Sequence, residues 1–407
     1  MKIIDGGVTS AKGFKAACTA AGIKYKDRTD MAMLVSEQPC VTAGTFTRNL
    51  VKAAPVLWDR AIVENAGPAQ AVVINAGIAN ACTGEEGFDA CRKTAAAVQE
   101  ICGFAPEQVF VASTGVIGAQ LPVEKLTKGV QTMVPQLDAS REAGHTAARA
   151  IMTTDTLPKE ACVAVEIDGV TVTIGGMCKG SGMIHPNMGT MLCFITTDAV
   201  IEKALLQKAL SETVDETYNM VSVDGDTSTN DTCLILANGL AGNAPIAEEG
   251  AAYEAFKEGL MAVNKALAMK IAGDGEGATA LFEVIVQNAA NREDARTLSK
   301  SVVTSSLSKA AVYGHDANCG RFLCALGYSG VDFDPNQVDM WFQSEHGTLQ
   351  VAENGVILQY SEEKAAEIMT TEHFTVVCDM KQGTAEATAW GCDLTHEYVT
   401  INADYRS

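Results

Sequence analysis

The stretch CVAVEIDGVTVTIGG, residues 162–176, constrains the fold of this chain more than any other. Two runs of alternating β-branched residues meet at Asp168-Gly169. That dipeptide suits a type I′ turn, where both central residues take positive φ. The stretch therefore predicts a β-hairpin. Around it, short apolar runs alternate with longer helical ones. AVVINAG (71–77) and QVFVASTG (108–115) read as buried strands, the second closing at Thr114-Gly115. EEGFDACRKTAAAVQEICG (85–103) has the acidic start and terminal glycine of a helix. TMLCFITTDA (190–199) reads as a strand, followed by a helix over 198–220 capped by Asp198. ALFEVIVQNA (280–289) and the helical run 291–314 repeat the strand-then-helix order. FTVVCDM (374–380), TAEATAWGCDL (384–394) and EYVTIN (397–402) predict a return to strands at the end. Hairpins mixed with αβ units imply a layered α/β or α+β fold rather than a strictly parallel doubly wound sheet. No internal repeat and no clear domain linker is visible.

Charge excludes some functions. The 407 residues hold 30 Lys and Arg against 50 Asp and Glu, for a net charge of −20, and no basic cluster offsets it. A surface that tracks nucleic-acid phosphates is not expected. No apolar stretch approaches the ~20 residues of a membrane span. The first residues, MKIIDGG, meet Asp5 and two glycines too early for a signal peptide, so a cytoplasmic home is expected. The 13 cysteines include no CxxC pair. Cys162, Cys178, Cys193, Cys233, Cys324 and Cys378 sit in apolar runs that read as strands. Reduced, mostly buried thiols and no metal site are expected.

Three polar stretches invite chemistry. GDGEG (273–277) has nucleotide-loop spacing, but Asp274 and Glu276 would set carboxylates beside any phosphate. A tight turn suits it equally, and Glu276 could anchor an ammonium group. VDGDTSTNDT (223–232) is rich in aspartate but lacks the late Glu of a calcium loop. It reads as a hydrogen-bonded loop beside a polar site, or as a plain turn. The third is GGMCKGSGMIHPNMGTMLCFITTDA (175–199), in which Thr190 stands where a glycine-rich loop meets a strand. A hydroxyl needs a base beside it to act as a nucleophile, and the residue's own α-amine is one solution. Thr190 must then become a new N-terminus by a cut after Gly189, a residue that tolerates backbone strain. The alternative is a threonine that merely opens a strand.

These motifs resemble the ornithine acetyltransferase (glutamate N-acetyltransferase, ArgJ) family. KGSGMIHPNMGTMLCFITTDA is similar to its processing site. GVTSAKGFKAACTAAGIK, TAGTFTRNLVKAAPV, VVINAGIANACTG, VASTGVIG, AIMTTDT, VDGDTSTNDT, GHDANCGRFLCALGYSG and YVTINADYRS follow in family order across the whole chain. The resemblance implies an α-β-β-α sandwich of the self-processed N-terminal-nucleophile type. It also implies a cut into an α chain (1–189) and a β chain (190–407), a chain boundary and not a fold boundary. Two of each would associate as a heterotetramer. Thr190 would carry acetyl as an ester, taken from N2-acetyl-L-ornithine and passed to L-glutamate by a ping-pong route. Thr114 and Gly115 would form the oxyanion hole. Substrate contacts would fall on Thr153, Lys179, Thr190, Glu276, Asn402 and Ser407, with Lys179 suited to a carboxylate and Glu276 to an ammonium. No cofactor is implied; acetyl-CoA is a co-substrate only in bifunctional members. The chain departs from the family pattern at Ile78, His185, Gly189 and Cys319. His185 is expected to be structural. Two other readings compete: an aminopeptidase or amidase on a related fold, and an uncleaved amino-acid-binding protein without catalysis.

Overall fold

The computed structural model describes residues 1–65, 67–185 and 191–404. The chain divides into two compact units. The first comprises Met1–Gly180, Pro186–Asn219 and Thr227–Leu267; the second comprises Ser181–His185, Met220–Asp226 and Ala268–Ser407. Each combines helices with a mixed parallel and antiparallel sheet, so the mixed α/β class expected from the sequence is the class observed.

In the first unit the strands run in the order Lys2–Ile3, Lys159–Ile167, Val170–Lys179, Leu192–Thr197, Thr232–Ala237, Met31–Phe46, Ala69–Ile78, Val109–Val116, with Phe14–Thr19 also on Met31–Phe46. The hairpin forms as expected, with Ile167 opposite Val170 and φ of 50° at Asp168 and 80° at Gly169. Strands on either side of positions 189 and 190 are direct neighbours, with Lys179 opposite Leu192. The helix Gly84–Cys102 starts with Glu85 and Glu86, where carboxylates favour the positive end of the helix dipole. It ends at Gly103, whose left-handed conformation lets its N–H reach Gln99 O. Phe14, Phe110 and Phe194 are fully or almost fully buried between this sheet and its helices. Each such side chain stabilises the fold by roughly 1.5–3 kcal/mol.

In the second unit the strand order is Val356–Ile357, Gly347–Glu353, Asp339–Ser344, His373–Asp379, Leu281–Ala289, Ala385–Cys392, Val221–Ser222. Its core is aromatic: Phe282, Phe322, Phe342 and Phe374 pack together, Phe342 and Phe374 edge to face at 5.2 Å. Among the described residues no helix is long and apolar enough to cross a membrane.

Four local expectations are corrected. Asp198 caps no helix: its carboxylate accepts from Thr173 N and Lys12 N, and the helix starts later, at Lys203. The run 291–314 is two helices, Arg292–Thr304 and Ser306–Tyr313, because Ser305 leaves the helix and caps the second through Ser308 N. EYVTIN lies in a helix, His396–Ala403. Thr395 caps it by accepting from Tyr398 N, and none of its residues is buried, so the β-branched pattern is not packed into a sheet. Cys324 is exposed on the helix Cys319–Gly327 rather than buried in a strand; the apolar run there is a helix face that buries Phe322, Ala325 and Leu326.

Candidate active site

Thr114 and Gly115 close the strand Val109–Val116, as the sequence suggested, although the strand continues one residue further. Gly115 has φ of +128° and faces Gly77 on the parallel neighbour. A Cβ there would lie 2.3 Å from the Gly77 carbonyl carbon, so only glycine allows this approach. Asn230 ties this strand end to the start of another. Its Nδ2 donates to Ser113 O at 2.8 Å and to Ala79 O at 2.5 Å. Two residues later, Thr232 N donates to Met191 O at 2.9 Å, and Thr232 pairs with Leu192. Met191 directly follows Thr190 in the chain. The candidate oxyanion pair is therefore linked through one short segment to the residue after the candidate nucleophile. Gly189, Thr190 and Ser407 themselves lie outside the described residues.

A second group in the same unit surrounds Asp155, a residue that sequence reasoning did not single out. Its buried carboxylate accepts from Lys159 Nζ at 2.7 Å, Gly180 N at 2.7 Å and Thr153 N at 3.0 Å. Lys179 Nζ stands 4.0 Å away. Burial alone would raise the pKa of this carboxyl, but the charges of Lys179 and Lys159 outweigh it and hold the group well below the usual range. Thr153 and Lys179, both expected at the substrate, are thus held by one anion. Arg28 fixes the same turn by donating to Met152 O and Thr153 O. The available signal was the i,i+4 spacing of Asp155 and Lys159; the pairing with Lys179 spans the hairpin.

Glu276 and Asn402 meet in the second unit. Asn402 Nδ2 donates to Glu276 Oε2 at 2.7 Å. Glu276 is buried, its N–H donates to Ser181 O, and its carboxylate lies so close to Gly182 that a Cβ there would sit 2.3 Å from it. Next to it, the loop read as hydrogen-bonded holds the chain ahead of the candidate cut. Asp224 accepts from Met183 N at 2.6 Å and Ile184 N at 2.9 Å. Met183 takes a positive φ of 55°, a conformation that this clamp maintains. His185 Nδ1 pairs with Ser222 Oγ at 3.0 Å. Burial, then the charge of Lys300, lowers its pKa to about 4, so the ring is neutral near pH 7.

The described residues thus offer a buried cation for a carboxylate, a buried carboxylate for an ammonium, and a strand end suited to a developing alkoxide. Among them no cluster of His, Cys, Asp or Glu could hold a metal ion. The ArgJ family model matches residues 15–407. The chain belongs to the ArgJ family. It is 51% identical to the arginine biosynthesis bifunctional protein ArgJ of Symbiobacterium thermophilum over 409 aligned positions, covering both chains completely. It is 49% identical to the protein of the same name from Caldanaerobacter subterraneus, again over the full length of both. Among solved structures, the ornithine acetyltransferase of Mycobacterium tuberculosis in complex with ornithine is similar at 41% identity. That match covers 47% of this ArgJ-family chain and 99% of the other, with a TM-score of 0.42.

Proposed function

We propose that this ArgJ-family enzyme cuts itself between Gly189 and Thr190 and moves acetyl from N2-acetyl-L-ornithine to L-glutamate. Thr190 Oγ attacks the Gly189 carbonyl, the peptide C–N bond breaks to free the Thr190 α-amine, and water hydrolyses the resulting ester to release the Gly189 carboxylate and the Thr190 hydroxyl. That amine takes the hydroxyl proton as Oγ attacks the donor's acetyl carbon. The C–N bond breaks, the proton passes to the leaving ornithine nitrogen, and acetyl remains on Thr190. The amine of glutamate then attacks the ester and restores the hydroxyl. Thr114 and Gly115 donate to the alkoxide in each step, where one donor typically contributes about 3 kcal/mol. Lys179 pairs with the amino acid's carboxylate, and Glu276, held by Asn402, pairs with an ammonium. Thr153 adds a neutral hydrogen bond, and Ser407 is a further substrate contact.

The observation that carries this reading is full-length similarity to arginine-biosynthesis ArgJ proteins. It favours acetyl transfer over amide hydrolysis and over a non-catalytic binding role. The ladder between Val170–Lys179 and Leu192–Thr197 supports two chains that stay together after the cut. We place two α and two β chains in the assembly, in the cytoplasm, with no cofactor and with acetyl-CoA as a second donor.

Thr190→Ala tests the mechanism. Native protein should run on a denaturing gel as fragments 1–189 and 190–407, and acetylornithine alone should leave one acetyl on the second. The variant should remain one chain without transfer. A variant that is still cut, or continuous ornithine release well beyond one equivalent without glutamate, would sink the reading.

A further inference from the structure

The strand Val109–Val116 is the last in its sheet, with Ala69–Ile78 on one flank and, among the described residues, no strand on the other. Such an edge leaves a row of backbone N–H and C=O groups without ladder partners. In an extended strand they recur at every second residue. Here side chains answer them at Val109, Val111 and Ser113. Trp58 Nε1 donates to Val109 O at 2.9 Å, the Asp59 carboxylate accepts from Val111 N at 2.8 Å, and Asn230 Nδ2 donates to Ser113 O at 2.8 Å. The next position in this series is Gly115. The row of clamps therefore ends one step short of the glycine that faces the alkoxide.

The last clamp is the most constrained. Asn230 is 7% exposed, and its Nδ2 donates a second time, to Ala79 O at 2.5 Å. Its side-chain oxygen accepts from Thr229 Oγ1 at 2.6 Å. The amide is thus held in one orientation. The peptide group that begins at Ser113 O ends at Thr114 N, and because that unit is planar, anchoring the oxygen fixes the direction of the Thr114 N–H. Asn75 braces the neighbouring strand in the same way. Its Nδ2 donates to Ile78 O at 2.9 Å, and its oxygen accepts from Ser113 Oγ at 2.7 Å. Asn75, Ser113 and Thr229 are all buried, so these hydrogen bonds act in a low dielectric, where a satisfied network is rigid.

We propose that Asn230 is a positioning residue for the reaction. It sets the distance and angle between the Thr114-Gly115 donors and the hydroxyl of Thr190, which the contact of Thr232 N with Met191 O ties to the same segment. This role rests on Thr114 and Gly115 stabilising the alkoxide of the acetyl transfer. Self-cleavage, acetylation and discharge to glutamate each pass through an alkoxide at that strand end, so one loosened clamp slows all three. Lys179 and Glu276 are not part of the clamp, so affinity for the amino acids is spared.

The test compares Asn230→Ala with two other variants. Thr229→Val keeps both carbonyl contacts of Asn230 and frees only its oxygen. Asn243→Ala is the control for stability. Asn243 is 4% exposed and also donates to two carbonyls, Val200 O and Ala244 O, but it lies past the opposite end of the strand Thr232–Ala237. Cutting is timed during cell-free synthesis. Acetylation of fragment 190–407 and its discharge by glutamate are timed on fully cut protein at saturating substrate. Calorimetry measures ornithine binding, and thermal melts measure stability. Asn230→Ala should slow all three steps by a common factor of roughly 10 to 100, and Thr229→Val by less, with ornithine affinity within about twofold of native. Asn243→Ala should lose comparable stability and react at the native rate. Rates in Asn230→Ala no lower than in Asn243→Ala, or a loss confined to one step or to ornithine affinity, would overturn the positioning role. If Asn230→Ala does not fold, Thr229→Val decides, and native rates there overturn it. Native protein that is cut but takes no acetyl from acetylornithine sinks the transfer reading, while the cutting rates still decide the role of Asn230. Native protein that is never cut overturns both.

Discussion

Replacing Asp155 by Asn removes one negative charge without changing the side chain's shape, and the structure sets the size of the effect. The carboxylate is fully buried, Lys159 contacts it at 2.7 Å with 1% of its side chain exposed, and Lys179 stands 4.0 Å away. Removing one partner from a buried ion pair typically costs 3–5 kcal/mol, because the remaining charge is left uncompensated. Here two cations lose their anion. The amide keeps one acceptor oxygen, which can serve Gly180 N or Thr153 N but not both as the carboxylate does. We expect Asp155→Asn to destabilise the strand Val170–Lys179 by about 3–5 kcal/mol. Hydrogen exchange of that strand, read against a distant strand such as Leu281–Ala289, measures this directly. The sign with pH follows from the lowered pKa: the carboxylate's contribution is present above its unfolded value and is lost as pH falls through the lower folded one. The difference between native protein and variant should therefore be full at pH 7 and shrink only in strong acid. KM for the amino-acid substrates should rise as Lys179 loses its anchor. A cost below 1 kcal/mol at pH 7, or a difference that vanishes near pH 5, would refute this account of the cluster.

Other consequences are as direct. Glu276→Gln keeps the hydrogen bond from Asn402 but removes the charge; KM for glutamate should rise roughly 10- to 100-fold with self-cleavage intact, as steady-state kinetics and a gel would show. Gly115→Ala forces a Cβ to within 2.3 Å of Gly77 in a conformation that only glycine adopts readily, so thermal stability should fall by about 3 kcal/mol or more and transfer should be lost. Lys300, whose pKa burial and then Arg296 lower to about 7, takes up protons on unfolding between pH 7 and its ordinary value. Stability of the second unit should therefore rise from pH 7 to pH 9 in urea titrations, and Lys300→Met should flatten that slope.

Much of this protein is written in short stretches of its sequence. Asp168-Gly169 made the hairpin because only a turn with two positive φ values joins those alternating runs. Glu85, Glu86 and Gly103 bounded their helix because caps act over one turn. The ordered motifs, from residue 15 to the end, were enough for the family. Such signals depend on residues within about four positions of each other, and any neighbourhood expresses them. Where a neighbour was required, the pattern alone misled. EYVTIN has the composition of a strand, but Thr395 caps it into a helix none of whose residues is buried. Asp198 precedes a helical run, but Thr173 and Lys12 claim its carboxylate. The site shows the same division. Thr114, Gly115, Lys179 and Glu276 could be named from motifs, whereas Asp155, the anion between Lys159 and Lys179, became visible only when the hairpin folded back. Local sequence determined which elements form and which chemistry they carry. Tertiary packing alone decided which charges share a desolvated space, since the strength of those interactions depends on burial and distance rather than on order along the chain.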